Sequence, residues 1–597
     1  MNTTIMKGNI FKVISLILLV SIGSLLSSCE DWLDINVSKD KPVKVTPDQS
    51  LPLVLLYASQ LCYDHAEYGV YLSQALTTAG RSQTGSYAYK SGWEFLSMNR
   101  HPQWRRHFYD IGVNAKGMIE TAEEIGSKNF VLIGRTILLH STLLTTDAFG
   151  DMPRSQVYLS NSPSYDTQAS IYEWMLQEAD ELISFYNNDE WVNNPNNKRI
   201  NKNMDRMFEG DLGKWRAFAK ALKARILIRK LPNWENTPET CQKIIDAVDA
   251  ALNDPSYTDA IYKYDGGSAE KNCPWGPAQP SLNLGWPQGR QNLLSEAIPS
   301  KFFTYAILGS YSSYRATTGY ALDPRAVELM TPRSNDNNDN NVKVLRYLEN
   351  NIGMPATMKI TFYPDLYATE GHNPYTRNNG YIMLMSREEL LFIKAEAQYW
   401  KGDKTAAYQT TIDAVNVNME RLGVLPTSAA TKPYYDRFFS IKLPSANTFT
   451  IADLMQQKYV AMYLQPEQWT DMRRYNYSSK TNGIAYDGQF VYTVTTCHDG
   501  SRYVNPDNFK VEFSLTRPYN LYEAYWTTPD NYGTNAKFSP NAWITRLNYD
   551  PETEEKYNRK ELQRLGAYKN PDWLKKRMIW AYKNNDKVTA ADQTEWK

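Results

Sequence analysis

Apolar positions recur at helical spacing in a series of segments, separated by long tracts where that spacing is lost. Thr46-Pro47-Asp48 is a helix start with proline just inside the first turn, and Leu53, Leu56, Tyr57 and Leu61 continue it. A second helix is expected over 68–78. The spacing returns over 104–125 and 130–148, with Gly126-Ser127 as the turn of an antiparallel hairpin. Further helices are expected over 166–186, 212–230 and 239–252. In 212–230, Trp215, Phe218, Ala219, Leu222 and Ile226 share one face, and Lys220, Lys223, Arg225 and Arg229 read as a solvated one. The clearest pair is 387–400 with 405–422, joined by Lys401-Gly402-Asp403. Tyr408, Ile412, Val415, Met419 and Leu422 step along its second helix as a single stripe. The last strong helix covers 451–464. Trp104, Trp215 and Trp400 fall within this periodicity and read as core.

The tracts between helices (254–295, 310–385, 425–448 and 475–545) are rich in Pro, Gly, Asn and Tyr. Structureless loops beyond ~15 residues are uncommon unless functional. Short strands are expected over 490–496 and 509–515. Repeated helix pairs with glycine turns suggest tetratricopeptide-like packing, although no pair meets the full repeat consensus. The expected fold is therefore mostly α, a tetratricopeptide-like helix-pair scaffold carrying a second, loop-rich irregular layer. It forms one domain over 47–597.

The N-terminus changes the picture. Lys7 and Lys12 precede an apolar run over 13–26 that ends in Leu26-Ser27-Ser28-Cys29. The run is too short to cross a ~30 Å hydrocarbon core, which needs about 20 residues. Basic flank, short apolar core and small residues before a cysteine read as a lipoprotein signal peptide over 1–28. Cys29 is then the lipidated first residue of the mature chain, on a tether over 29–46. Two or more acyl chains would hold it stably to a membrane.

Lys and Arg total 65 against 65 Asp and Glu, so no basic footprint for nucleic acid exists. Cys62, Cys241, Cys273 and Cys497 have no CxxC spacing and read as small buried hydrophobes. Gly-rich phosphate loops, HExxH and GxSxG are absent, and no cofactor is expected. The six histidines lack metal spacing. The tract 334–341 lacks the glycine and bidentate glutamate of a calcium loop and reads as a polar turn. A glycosidase needs only two carboxylates ~5–10 Å apart, which sequence does not exclude.

Tyrosine (42), phenylalanine (19) and tryptophan (16) are unusually abundant, which suits interfaces and sugar-like ligands. Ligand-binding candidates are aromatics in loops that no core periodicity claims. Tyr87, Tyr89 and Trp93 lie in a Gly/Ser-rich loop, Trp275 and Trp286 in NCPWGPAQPSLNLGWPQGR, and Tyr311 and Tyr314 in GSYSSYRATTGY. Aromatic faces pack on the C–H faces of sugar rings while Asn, Gln and Arg satisfy the hydroxyls.

Six segments in order resemble the SusD/RagB family of outer-membrane nutrient-binding lipoproteins, most closely its SusD-like branch. They are the lipobox followed by CEDWLDIN, then Thr145 to Pro153 (TTDAFGDMP), then Gly210-Asp211-Leu212-Gly213-Lys214-Trp215 with its helix. Asp323-Pro324-Arg325, the Glu389 to Gly402 helix with Ala395-Glu396-Ala397, and Gln457-Lys458-Tyr459 with Trp469 to Arg474 follow. One departure is Arg546 to Glu552, which keeps the ends of a family segment but not its Pro-Tyr-Pro middle. The resemblance implies a non-enzymatic lid on a SusC-like TonB-dependent transporter, capturing oligosaccharides or, in some members, peptides. It also implies that Glu30, Asp31 and Asp34 act as a signal for the outer face of the outer membrane. The alternatives carried forward are a peptide-binding importer lid and a surface glycan-degrading enzyme.

Overall fold

The computed structural model describes residues 45–79, 102–268, 373–426, 432–478 and 543–581. Shorter described stretches lie between 271 and 367 and between 492 and 518.

Helix α1 (Pro47–Leu72) begins as expected, with Gln49 reaching back to accept the Thr46 N–H at 3.3 Å. It does not break after Leu61. Cys62, Tyr63, Asp64, His65 and Ala66 are all buried, so the helix is enclosed on every side and loses its amphipathic period. Polar Asp64 and His65 look like a break in sequence, but Asp64 is paired inside the protein with Arg106 at 2.9 Å. The expected helix over 68–78 is thus the end of α1 followed by strand β1 (Leu76–Thr78).

Segment 104–125 is helical but not uniformly α. A single α turn at Gln103–Arg105 widens into a π-helix (Arg106–Val113) and tightens again as α2 (Asn114–Glu124). Gly126 turns the chain with φ +74° into α3 (Lys128–Phe149). Then come α4 (Gln168–Tyr186), α5 (Leu212–Ile228), capped by Asp211, and α6 (Pro238–Leu252), with proline in its first turn. After α7 (Lys301–Leu308) come α8 (Arg387–Lys401) and α9 (Lys404–Arg421), the hairpin read from sequence, turned by Gly402 at φ +100°. Helices α10 (Lys432–Lys442), α11 (Ile451–Ala461), α12 (Glu467–Arg474) and α13 (Arg559–Leu565) complete the set used below.

Neighbours in sequence pack in space: α2 on α3, α3 on α4, α4 on α5, α5 on α6, α6 on α8, and α8 on α9. The fold is mostly α, as expected. The irregular layer holds small antiparallel sheets. Strand β2 (Ala260–Lys263) pairs with β7 (Tyr381–Met385), and β1 with β3 (Ala297–Pro299). Strand β6 (Val342–Val344) lies between β4 (Ser313–Arg315) and β5 (Arg333–Ser334), and β8 (Tyr492–Val494) pairs with β9 (Phe509–Val511). Cys62, Cys241 and Cys273 are buried, and Trp104 and Trp215 sit in the main core at 1% and 0% exposure.

One expectation fails. Lys223 pairs with Asp180 at the surface and half-buried Lys220 with the buried Asp254, whereas Arg225 and Arg229 are themselves buried. Helix α5 is covered by α3, α4, α6 and α8, which leaves it little solvated surface. Two guanidiniums are taken inside because carboxylates from other segments meet them there.

Candidate functional site

Those carboxylates come from the segments that carry the family resemblance. Arg229 holds Asp147 of the TTDAFGDMP segment at 2.7 Å and Glu467 of α12 at 2.8 Å. Arg225 grips Glu389 of α8 through two nitrogens, at 2.6 and 2.5 Å, and donates to the Leu384 carbonyl at 2.6 Å. Arg474 forks onto Glu396 at 2.8 Å twice and onto Asp471 at 2.6 Å, while Lys458 reaches Asp471 at 2.9 Å. Arg473 lies 3.6 Å from the Trp469 ring and donates to the Asp147 and Thr545 carbonyls. Arg325 pairs with Asp323 and is held by Gln457 at 2.5 Å. Burial raises the Glu467 carboxyl, but the charges of Arg229 and Arg225 outweigh it and hold the group at about 2.

Chemically this network is closed. Its carboxylates are engaged by guanidiniums or ammoniums and lie out of water, so none is placed as a general acid or base for a bound substrate. It ties α3, α5, α8, α11 and α12 together. The departing segment joins the same interior: Arg546 donates to the Lys576 and Arg577 carbonyls at 2.7 and 2.9 Å. Among the described residues no group of His, Cys, Asp and Glu could hold a metal ion.

The sequence-derived ligand aromatics fare unevenly. Tyr87, Tyr89, Trp93, Trp286 and Tyr311 lie outside the described residues, as do Cys29 and Cys497. The backbone of Tyr314 lies in β4, opposite Lys343. Trp275 is corrected from ligand platform to core. It is 2% exposed and meets the Tyr63 ring of α1 edge-on at 4.6 Å. Its loop folds back on the scaffold, and Cys273 N–H donates to the Asn378 carbonyl at 2.8 Å.

An open aromatic surface does exist, in a place the sequence reading missed. A cleft of about 650 Å³ lies between the π-helix, the 153–163 loop and the 553–558 segment. Tyr109 (51% exposed), Tyr158 (40%), Leu159 (78%) and Tyr557 (63%) line it. Two chain-distant segments are stapled to shape it: Asn558 donates to the Pro163 carbonyl and Ser162 to the Tyr557 carbonyl, both at 2.9 Å. Glu554 anchors the floor, accepting from Trp104 Nε1 at 3.1 Å and from the Tyr165 hydroxyl. Burial first, then Asp550, raises its carboxyl, against the hydrogen bonds from Tyr165 and Trp104.

Tyr158 is held under strain. Its φ is +63°, in a region that bulky L-residues seldom occupy and that costs on the order of 1–3 kcal/mol. Its hydroxyl donates at 2.5 Å to the Phe108 carbonyl in the π-helix. Gly112 makes this possible, since a Cβ there would lie 1.7 Å from the Tyr158 oxygen. The missed signal was legible in part: Tyr109 and Val113 are four residues apart on the side of the predicted helix opposite the Trp104, Phe108, Ile111 and Ala115 stripe.

The comparisons agree with this architecture. Residues 51–490 match the family model of SusD-like proteins described as "Starch-binding associating with outer membrane". The chain belongs to the SusD-like family. Members of this family are binding proteins rather than enzymes, and the family is one of carbohydrate binding and outer-membrane association. Solved structures share the SusD-like fold. A SusD/RagB family protein from Bacteroides thetaiotaomicron is 18% identical with a TM-score of 0.57, covering 90% of this chain and 99% of its own. A SusD homolog from Bacteroides ovatus is 15% identical with TM-score 0.57, at 90% and 99% coverage. A chitin-binding protein is 16% identical with TM-score 0.56, at 90% and 100% coverage. No curated protein sequence matches. Among the described residues, the ordered SusD-like motifs supply Asp147, Arg225, Glu389, Glu396, Lys458, Asp471 and Arg474 to the buried ion network, while CEDWLDIN lies outside the described residues. No helix of the described residues is long and apolar enough to cross a membrane.

Proposed function

We propose that this chain is a lipid-anchored protein of the outer membrane's outer face that captures oligosaccharides and delivers them to a SusC-like TonB-dependent transporter. The observation that carries the reading is the family match over 51–490, whose description joins starch binding to the outer membrane. Cys29 after a short apolar leader supplies the anchor, and Glu30, Asp31 and Asp34 the surface signal. A chitin-binding protein among the structural relatives is in keeping with a saccharide ligand. Exposed tyrosines on a rigid helical frame suit ring stacking.

Two measurements test it. Gentle extraction of outer membranes followed by affinity capture of the chain should recover a large β-barrel partner in stoichiometric amount; a free monomer refutes delivery to a transporter. A combined glycan and peptide array should yield glycan binding without new reducing ends. Peptide binding alone would make the chain a peptide-importer lid instead.

A further inference from the structure

We propose that the cleft between the π-helix, the 153–163 loop and the 553–558 segment is a binding site for a neutral oligosaccharide. The inference rests on the glycan-capture reading above and assigns it a place and a ligand class that the loop aromatics did not. Three independent features of the cleft point to a ligand.

The first is exposure. Tyr109, Tyr158, Leu159 and Tyr557 present apolar surface around a single concavity, where solvated polar residues would cost nothing. Of the large hydrophobics exposed among the described residues, these four and the neighbouring Val113 are the ones that cluster here. Tyrosine supplies a flat apolar face with a hydroxyl at its rim, matching a pyranose that is apolar on its faces and polar at its edge.

The second is construction. The π-helix opens a carbonyl at Phe108, Tyr158 takes it from a left-handed backbone conformation, and Gly112 leaves the room. π-helical insertions and strained backbones concentrate at functional sites, because a chain without a use for them relaxes to α-helix. The staples from Asn558 and Ser162 then hold both walls in place before any ligand arrives, which reduces the ordering cost of binding.

The third is the polar complement. Ser160 and Asn161 line the rim beside the rings, and Thr553 has a buried hydroxyl without a hydrogen-bond partner among the described residues. These groups exchange hydrogen bonds with sugar hydroxyls. Among the described residues Glu554 is the only charged one that lines the cleft, and Asp550 adds a second negative charge close to Tyr109. Among the described residues no cation lines the cleft itself, Lys556 lying over the Tyr557 ring at 5.3 Å, so uronic and sulfated sugars are disfavoured relative to neutral ones. The volume of about 650 Å³ falls in the ~300–1,000 Å³ range of small-ligand sites, whereas a protein partner needs ~800 Å² per side.

The test uses the full chain in detergent and calorimetric titration with maltoheptaose, cellohexaose, chitohexaose and oligogalacturonate. One or more neutral probes should bind, with oligogalacturonate weaker. Tyr109→Ala and Tyr557→Ala should each weaken binding roughly three- to tenfold. Tyr109→Phe, which keeps the stacking face, should lose less. Both side chains are more than half exposed, so the variants should keep the wild-type melting temperature. If a probe binds the wild type and the Tyr109→Ala/Tyr557→Ala double variant equally, the cleft is refuted while glycan capture stands. If no saccharide binds the wild type, both fail. If the double variant binds saccharide normally but no longer co-purifies with a transporter, the surface is a protein interface and the proposal is overturned.

Discussion

Arg229 is the most exacting point of the buried network, and replacing it by methionine gives a measurable outcome. The side chain is fully buried and its Nη2 serves Asp147 and Glu467 together, at 2.7 and 2.8 Å. Methionine keeps much of the volume and removes the charge. Asp147 retains the Tyr172 hydroxyl, while Glu467 keeps Arg225 at 3.7 Å and the charge of Lys458. Removing one partner of a buried pair costs about 3–5 kcal/mol, because an uncompensated charge stays behind. The perturbed acidity of Glu467 points the same way. Burial raises the Glu467 carboxyl, but Arg229 first, then Arg225 and Lys458, outweigh it and hold the group at about 2 in the folded chain, below the ~4.3 of an unperturbed glutamate.

The sign follows from the direction of the shift. A carboxyl depressed on folding adds stability that is fully present above its unfolded value and is lost as pH falls from there toward about 2. Wild-type stability should therefore decline between about pH 5 and 2, and Arg229→Met should show a lower, flatter profile there. Urea unfolding followed by tryptophan fluorescence at pH 7 and across that window checks both. The triple variant Arg229→Met/Asp147→Leu/Glu467→Leu should recover part of the loss, since a whole buried ion group exchanges for apolar residues at little cost. A single variant within about 1 kcal/mol of wild type would mean that the network is solvated, and would refute the reasoning.

Three further outcomes are expected. Gly112→Ala should push Tyr158 from its seat, because the new methyl would lie 1.7 Å from the phenol oxygen and 2.8 Å from the His107 carbonyl; faster tyrosine nitration at Tyr158 with helix content retained would show it. Trp275→Ala should cost about 3–5 kcal/mol in urea unfolding and leave glycan affinity unchanged, as a core ring and not a ligand platform would. Cys29→Ala should release the chain in soluble form on cell fractionation, and persistence in the membrane fraction would argue against a lipid anchor there.

Much of the scaffold was legible because its signals are local. The 387–400 and 405–422 pair, its glycine turn and the proline-led starts at Pro47 and Pro238 depend on residues within a few positions of one another. The two short strands over 490–496 and 509–515 appear, as β8 and β9, for the same reason. Reading failed where tertiary cover changed the meaning of a residue. Arg225 and Arg229 look like solvent-facing charges until α3, α4, α6 and α8 close over them. Trp275 looks like a loop platform until its loop folds onto Tyr63.

By itself, then, the sequence determined the class of fold, the order of its helix pairs and the ordered motifs of the SusD-like family. Each is written in short-range spacing or in residue identity, which no packing can alter. Tertiary structure decided which charges are buried and which rings are open. A guanidinium is stable inside only when carboxylates far along the chain arrive within ion-pair distance, as Asp147 and Glu467 do for Arg229. A cleft between residues 104–113, 153–163 and 553–558 exists only once some four hundred intervening residues have folded. Exposure and charge pairing are properties of pairs of surfaces, and the linear order of residues does not carry them.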